Sequence, residues 1–352
     1  MTAFPAAAPI GRASSGPLRA GRLAVFAVLA LAAPLLLAGN RYLAFVAGVT
    51  MIHVLWASGM NLLYGYAGLM PLMFAGLAGI SAYTVVGLTT AGWSFWLALP
   101  VAALGASLVG TLLGVPSLRL KGFYFALCSL VIQTVITLGF VYFADLTNGD
   151  TGISQIRQPQ WPGGTPLSGT AFNLVISAIA VLGVLVLMLI VRSDFGRRLV
   201  ALREDDGLAE MLGIDVTGCK LLAFFIGSLF AGVGGALYAP YIGFISPRSF
   251  DVLISLNIWL MVAFGGRGTI WGPVIGALLL APLAFLLQDY YTVKDILYGL
   301  LIIAVIVLMP GGIARGFRRF AAADADVPAP RPSSPAVQAV QAGAAPDTGR
   351  TA

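Results

Sequence analysis

Long stretches without a charged residue constrain this chain more than any other feature of its sequence. No Asp, Glu, Lys or Arg occurs between Tyr42 and Ser117. Further charge-free stretches cover 122–144, 158–191, 221–247, 252–266, 268–288 and 296–314. A membrane helix needs about 20 consecutive apolar residues to cross about 30 Å of hydrocarbon. These stretches therefore predict an all-α integral membrane protein that crosses the bilayer many times.

The overall composition supports a lipid-exposed surface. Hydrophobic residues make up 59% of the 352 residues and charged residues only 10%, whereas a soluble domain usually carries about 25% charged residues. Dividing the charge-free stretches at their Gly- and Pro-rich breaks predicts about ten transmembrane helices. The predicted spans are 23–38, 42–63, 69–89, 93–115, 122–144, 172–191, 221–244, 252–264, 270–287 and 296–309.

The basic residues predict the orientation, because Lys and Arg stay in cytoplasmic loops. With the N-terminus inside and ten spans, all but four of the 20 basic residues fall on the cytoplasmic side. The four exceptions are Arg41, Arg157, Arg248 and Lys294. We therefore predict that both termini are cytoplasmic, and we take the net charge of +6 as a topology signal rather than as a sign of nucleic-acid binding.

The predicted organisation is a single membrane domain over 23–315 between two polar ends. A cytoplasmic segment covers 1–22 and a tail rich in Ala and Pro covers 316–352, which we expect to be disordered. A cleaved signal peptide is the alternative for the N-terminus, but Leu37-Ala38-Gly39 is a poor cleavage site. Two soluble segments interrupt the domain, an outer loop at 145–171 and a highly charged cytoplasmic loop at 192–220.

The predicted spans lack the groups that most membrane chemistry requires. They contain no Asp, Glu, Lys or Arg, whereas proton- or sodium-driven carriers place such a side chain in the membrane. His53 is the only ionisable candidate in mid-span, and a packing role fits it better than transport. Cys128 and Cys219 have no metal-ligand spacing, and no phosphate-binding loop occurs. We therefore expect no enzyme activity, no metal and no ATP site in this chain.

The cytoplasmic loop contains the signals of two short helices. Ser193 or Asp194 is suited to cap the first helix, and Asp205 or Asp206 to cap the second. Gly213 follows as a stop. A helix of two turns is too short to be stable alone, so we expect it to pack in a groove of another protein. A solvated connecting loop is the alternative.

This loop resembles the cytoplasmic coupling loop of ABC importer permeases, and other blocks extend the resemblance. Asn61-Leu62-Leu63-Tyr64-Gly65-Tyr66-Ala67-Gly68 and Gly79-Ile80-Ser81-Ala82-Tyr83-Thr84 are similar to blocks of the branched-chain amino acid permease family. So are Lys220-Leu221-Leu222-Ala223-Phe224, Ala231–Tyr238 and the segment Phe264–Ala277, which begins Phe-Gly-Gly-Arg-Gly-Thr. The resemblance covers about residues 40–315 and is strongest to the M-type permeases of leucine/isoleucine/valine systems, which the urea permeases also resemble.

The resemblance implies a permease subunit of an ATP-driven importer in the bacterial inner membrane. It implies a second homologous permease subunit, two ATPase subunits that bind ATP and Mg²⁺, and an external solute-binding protein. The expected substrate is a branched-chain or other neutral amino acid, because charge-free spans offer no fixed countercharge. The same architecture importing urea, amides or a sugar is the first alternative. A secondary carrier or channel, or a membrane-embedded enzyme, fits less well.

Three sets of candidate residues follow. The coupling helix would comprise residues that bind or move with the ATPase: Glu204, Asp205, Asp206, Leu208, Ala209, Met211, Leu212 and Gly213. The Gly/Pro-rich break after the second span would line the substrate pathway through Asn61, Tyr64, Tyr66, Met70, Met73 and Phe74. Between Gly68 and Gly79 the family tends to carry polar residues, so this pathway would be unusually apolar. Trp161 in the outer loop is the candidate anchor for the binding protein.

Overall fold

The computed structural model describes residues 17–37, 39–118, 120, 122–161, 165–286 and 299. Helices dominate these residues. They are α1 (Pro17–Leu36), α2 (Arg41–Asn61), α3 (Phe74–Thr90), α4 (Phe95–Leu118), α5 (Phe123–Tyr142), α6 (Ala144–Thr147), α7 (Gly169–Arg192), α8 (Asp194–Glu204), α9 (Asp206–Met211), α10 (Val216–Ile242), α11 (Val252–Gly265) and α12 (Trp271–Leu286). Two short strands, β1 (Ile153–Ser154) and β2 (Phe244–Ile245), pair antiparallel.

The chain is a multi-pass, all-α membrane protein. Among the described residues, six helical segments are long and apolar enough to cross a bilayer: Arg41–Tyr66, Phe95–Leu118, Phe123–Tyr142, Gly169–Arg192, Val216–Ile242 and Pro247–Gly265. Three shorter apolar helices are Leu23–Leu36, Phe74–Thr90 and Trp271–Leu283. Each of the first nine predicted spans falls on one of these helices. The tenth, 296–309, and the tail 316–352 lie outside the described residues, so the count of ten stays a prediction.

Helix α10 lies at the centre of the bundle and packs against α2, α3 and α4. Small residues allow these helices to approach closely. A Cβ atom added to Gly232 of α10 would lie only 2.9 Å from the Cα atom of Ala103 in α4. Helices α11 and α12 form a neighbouring pair that also contacts α2. The absence of a side chain at Gly232 thus lets α10 pack closely against α4.

The third helix begins later than the predicted span 69–89. Helix α2 continues into one turn of π-helix at Leu62–Tyr66, and α3 starts only at Phe74. Gly68 has a φ of +72°, which glycine adopts without steric cost, and Pro71 has no N–H to donate to a helix. The predicted break in the helical run is therefore confirmed, and it moves the start of α3 by five residues.

Candidate functional site

The two short helices of the charged loop 192–220 are held by local caps. The Ser193 side chain accepts a hydrogen bond from the N–H of Gly196 at the start of α8. Asp205 Oδ1 accepts from the N–H groups of Gly207 at 2.7 Å and Leu208 at 3.2 Å at the start of α9. Of the two candidate caps for each helix, Ser193 and Asp205 therefore fill the position. A side-chain oxygen here satisfies amides that have no partner inside the helix.

Helix α9 ends at the predicted glycine. Gly213 has a φ of +78°, the left-handed conformation that commonly ends a helix. The N–H of Gly213 donates to Glu210 O at 2.9 Å, and the N–H of Ile214 donates to Ala209 O at 3.1 Å. These bonds satisfy the last carbonyl groups of the helix. The start and the end of α9 are thus both fixed by residues that were identified from the sequence.

The apolar side chains of α9 point in two directions. Ala209 is buried against the rest of the chain, at 2% exposure. Leu208, Met211 and Leu212 are 61%, 85% and 79% exposed, and we call these three the α9 apolar face. Large apolar groups presented to water on a short helix are typical of an interaction site. The subunit therefore offers an apolar surface that its own described residues leave uncovered.

An ion pair ties α9 to the central helix. Lys220 Nζ in the first turns of α10 lies 2.7 Å from Asp206 Oδ2, and both side chains are largely buried. A buried pair of this kind is costly to break, because the remaining charge would have no partner. Glu204, by contrast, is half exposed and pairs with Arg203 at 2.8 Å. Asp206 and Glu204 were predicted from the sequence, but Lys220 was not, because its partner lies 14 residues away.

The break after α2 is joined to the loop before α12 through Asn61. Its Nδ2 donates to Thr269 O at 2.9 Å, and its Oδ1 accepts from the N–H of Gly268 at 3.0 Å. Asn61 is fully buried, so both ends of its amide are used inside the protein. Asn61 thus links the end of α2 to the loop before α12, more than 200 residues away in sequence.

The other candidate pathway residues lie in different surroundings. Tyr64 is partly buried, with its ring edge-to-face with Trp259 at 5.6 Å and with the Arg267 guanidinium 5.9 Å from its centroid. Tyr66 is buried, and Met73 and Phe74 have no exposed surface. Met70 is partly exposed. The break therefore brings these residues into one segment but buries most of them in the core of the subunit, and their role in a pathway stays a prediction.

The start of α3 is capped by side chains from other helices, a feature that no local sequence pattern predicts. Met73 at its N-cap position makes no side-chain bond. Instead, Ser255 Oγ of α11 accepts from the N–H of Ala75 and Gln133 Oε1 of α5 accepts from the N–H of Gly76, both at 2.8 Å. These bonds satisfy amides that would be costly to leave unpaired inside a membrane.

Trp161 lies in the loop 145–171 beside another tryptophan. Its ring stacks on Trp96 of α4 at 6.1 Å, and Trp96 Nε1 donates to Gln160 O at 2.9 Å. Trp161 nevertheless remains 47% exposed. Strand pairing of Ile153 with Ile245 also ties the loop to the segment after α10. The loop is thus anchored on the bundle and still presents an aromatic surface, so docking stays a prediction.

His53 makes its contacts within its own helix. Its Nδ1 lies 2.9 Å from Val49 O, and its ring meets Trp56 edge-to-face at 5.3 Å. Over the described part of the chain, no three His, Cys, Asp or Glu side chains come together as metal ligands. Both of these contacts of His53 are with residues of α2, as a packing role requires.

The family model and the related sequences indicate the same kind of protein. A family model described as the permease component of branched-chain amino acid transport systems matches residues 42–309. The chain is 31% identical over 315 residues to the high-affinity branched-chain amino acid transport system permease protein LivM of Escherichia coli strain K12, covering 83% of this chain and 74% of that protein. No solved structure matches the chain.

More distant similarities extend to other importers. The chain is 27% identical over 290 residues to the high-affinity branched-chain amino acid transport system permease protein LivH of Salmonella typhimurium, covering 76% of this chain and 92% of that protein. It is 26% identical over 318 residues to the autoinducer 2 import system permease protein LsrC of Enterobacter sp. strain 638, covering 81% and 85%.

Proposed function

This chain belongs to the family of permease components of branched-chain amino acid transport systems, and from that membership we propose its function. It is a membrane-spanning permease subunit of an ATP-driven importer for a branched-chain or other neutral amino acid. The family resemblance seen in the sequence blocks is confirmed by the match over residues 42–309. That match is the observation that carries the proposal.

The α9 apolar face supports an ATPase subunit as the cytoplasmic partner. Leu208, Met211 and Leu212 are exposed while α9 itself is capped at both ends and tied to α10 by the Lys220–Asp206 pair. This apolar surface is already formed in the subunit and is joined to the spanning helix α10. A partner that binds it and moves could therefore move α10. That partner binds Mg²⁺ and ATP and hydrolyses the ATP, and this hydrolysis drives transport.

The assembly contains further subunits. We propose a second, homologous permease subunit, two ATPase subunits and an external solute-binding protein, in the bacterial inner membrane. The two loops lie at opposite ends of α7. The segment 143–168, which contains most of the predicted outer loop, precedes Gly169, and the loop that contains α8 and α9 follows Arg192. This placement supports a docking side outside the membrane and a coupling side inside it. Ten spans with both termini inside accommodate this arrangement.

Impermeant thiol labelling tests the orientation. A single cysteine at Gln158 on the outer loop and one at Gly207 on α9, both exposed positions, should react from opposite sides of sealed vesicles. The positions are placed in a background without Cys128 and Cys219. Reaction of both from the same side would contradict the proposed orientation.

Uptake by the reconstituted complex tests the function itself. The proteoliposomes contain this subunit, its permease partner and the ATPase subunits. We expect them to accumulate leucine only when ATP is present on the side of the ATPase subunits and the loaded binding protein is present on the opposite side. Urea, an amide and a sugar, each with its own binding protein, serve as competing substrates. Leucine uptake without ATP would overturn the proposal in favour of a carrier or channel, and uptake of another solute alone would correct the substrate.

A further inference from the structure

Arg203 connects the coupling loop to the membrane segment where α2 is interrupted. It lies in the last turn of α8, three residues before α9 begins at Asp206. Its Nη1 donates a hydrogen bond of 2.6 Å to the carbonyl oxygen of Gly65, 138 residues away in sequence. Its Nη2 lies 2.8 Å from Glu204 Oε1. A single guanidinium therefore bonds both to its own loop and to the backbone of the break.

The carbonyl of Gly65 lies where the regular helix pattern stops. In the π-helical turn, the N–H of Ala67 donates to Leu62 O at 3.1 Å, and the N–H of Leu69 donates to Leu63 O at 2.9 Å. Carbonyl groups at a helix end need partners outside the helix. Arg203 supplies such a partner as an ionised donor, and hydrogen bonds from ionised donors are about twice as strong as neutral ones.

Two glycines show how closely the backbone surrounds this side chain. A Cβ atom added to Gly68 would lie 2.9 Å from Arg203 Cγ, and one added to Gly268 would lie 2.9 Å from Arg203 Nη1. Both glycines have positive φ, at +72° and +73°, so other residues would also be strained there. The break after α2 and the loop before α12 therefore both lie in close contact with the Arg203 side chain.

Asn61 completes the connection between these two segments, because its amide bonds to Gly268 and Thr269. A displacement of α9 moves Arg203 with it, since only Glu204 and Asp205 separate them. Arg203 in turn contacts the end of α2 directly and the approach to α12 through Gly268. The contacts form a continuous path from the α9 apolar face to two membrane helices.

We propose that Arg203 is the positioning residue that transmits movement of the ATPase-bound α9 to the interrupted end of α2 and to the loop before α12. The proposal rests on the proposed function, because it assigns a step within ATP-driven transport. Its chemical requirement is a cationic donor at this position that reaches Gly65 O. Arg197 of the same helix offers a matched comparison: it pairs with Asp194 at the surface, and its side chain is 71% exposed.

The variants Arg203→Met, Arg203→Lys and Arg197→Met test the proposal in the reconstituted complex. Met keeps an apolar stem against Gly68 and removes the donor, whereas Lys keeps a donor for a single carbonyl. The readout is the amount of solute transported per ATP hydrolysed, with thermal stability measured alongside. We expect Arg203→Met to lower this ratio about tenfold, within the range typical of coupling between sites. Arg203→Lys should restore most of the ratio, and Arg197→Met should leave it unchanged.

A wild-type transport-to-hydrolysis ratio in Arg203→Met would overturn the proposal while leaving the importer function intact. Absence of ATP-dependent uptake in the unmodified complex would instead overturn the function. A ratio lowered equally by Arg203→Met and Arg203→Lys, with a matching loss of thermal stability, would overturn transmission in favour of a purely structural role.

Hydrogen exchange in the unmodified complex decides the question even if Arg203→Met does not insert. Nucleotide binding should change amide exchange in 204–213 and, with it, in 66–73. A nucleotide-dependent change confined to 204–213 would overturn the proposal.

Discussion

Helix α9 and the segment 61–74 are both short departures from regular transmembrane helix, but they differ in what covers their apolar side chains. The α9 apolar face is open to solvent, whereas Met73 and Phe74 are enclosed by the subunit itself. The polar groups do not differ in this way: Asn61 bonds to the loop before α12, and Asp206 of α9 pairs with Lys220 of α10. Among the described residues nothing covers the α9 apolar face, which fits the proposal of a partner protein there, whereas 61–74 has its partners within the chain.

Energetics support this distinction. Burying a Leu or Met side chain contributes about 1.5–3 kcal/mol, so covering three such residues on α9 offers several kcal/mol to an assembly. Within 61–74 the corresponding side chains, such as Met73 and Phe74, are already buried, so their burial stabilises the folded subunit itself. Substitutions on α9 should therefore act mainly on assembly and coupling, and substitutions in 61–74 mainly on the stability of the subunit.

The largest expected effect is that of Leu208→Asp. The substitution places a carboxylate on the α9 apolar face, where docking would bury it without a partner, at a cost of about 3–5 kcal/mol. We expect affinity for the ATPase subunit to fall at least about a hundredfold and ATP-driven uptake to be lost, while the subunit still inserts. The measurement is co-purification of the ATPase subunit together with uptake.

Glu210→Gln is the control for this variant. Glu210 is exposed on the same helix, and its charge should matter less than the apolar side chains. Normal co-purification in Leu208→Asp, or an equal loss in Glu210→Gln, would contradict the assignment of the apolar face.

Asn61→Ala is expected to act on stability. It leaves the N–H of Gly268 and the carbonyl of Thr269 without the partner they have now, at a cost of about 1–3 kcal/mol. The melting temperature of the purified subunit should fall, and the set of transported substrates should stay the same. The control is Thr134→Val, whose hydroxyl bonds only to Leu130 O of its own helix. A change of substrate range with unchanged stability would instead support a pathway through this segment.

Gly213→Val should have an intermediate effect. At a φ of +78° a side chain costs roughly 1–2 kcal/mol, and nothing lies within 4 Å of the added Cβ atom, so the cost is conformational. The end of α9 should fray, and less solute should be moved per ATP hydrolysed. Gly213→Asn is the matched control, because Asn tolerates this conformation. Equal coupling in the Val and Asn variants would show that the conformation at the end of α9 is unimportant.

Trp161→Ala should have the smallest effect. Its stacking on Trp96 is worth about 0.5–1.5 kcal/mol, and its exposed part is the candidate anchor for the binding protein. We expect the apparent affinity of the complex for loaded binding protein to weaken severalfold. Trp93→Ala, at an exposed tryptophan between α3 and α4, should leave that affinity unchanged. If both variants bind as well as the wild type, the docking role of Trp161 is wrong.

How far the sequence predicted these features depends on the distance between the interacting residues. The caps and the stop of α9 involve neighbours in sequence, so Asp205 and Gly213 were identified. The spans follow from the charge-free stretches, and nine of them fall on helices. The partners of Asn61, Lys220, Gln133 and Arg203 lie in distant segments, and no local pattern specifies which segments meet. The burial of Met73 and Phe74 likewise depends on packing between helices that the sequence does not specify.

The central claim, that a partner ATPase covers the α9 apolar face, is tested most directly by thiol labelling at Leu212. The variant Leu212→Cys is made in a background with Cys128→Ala and Cys219→Ala, so that it carries the only thiol. Because Leu212 is highly exposed, the cysteine should react quickly in the isolated subunit and be strongly protected once the ATPase subunits are bound. Equally rapid labelling in the isolated subunit and in the assembled complex would contradict the account.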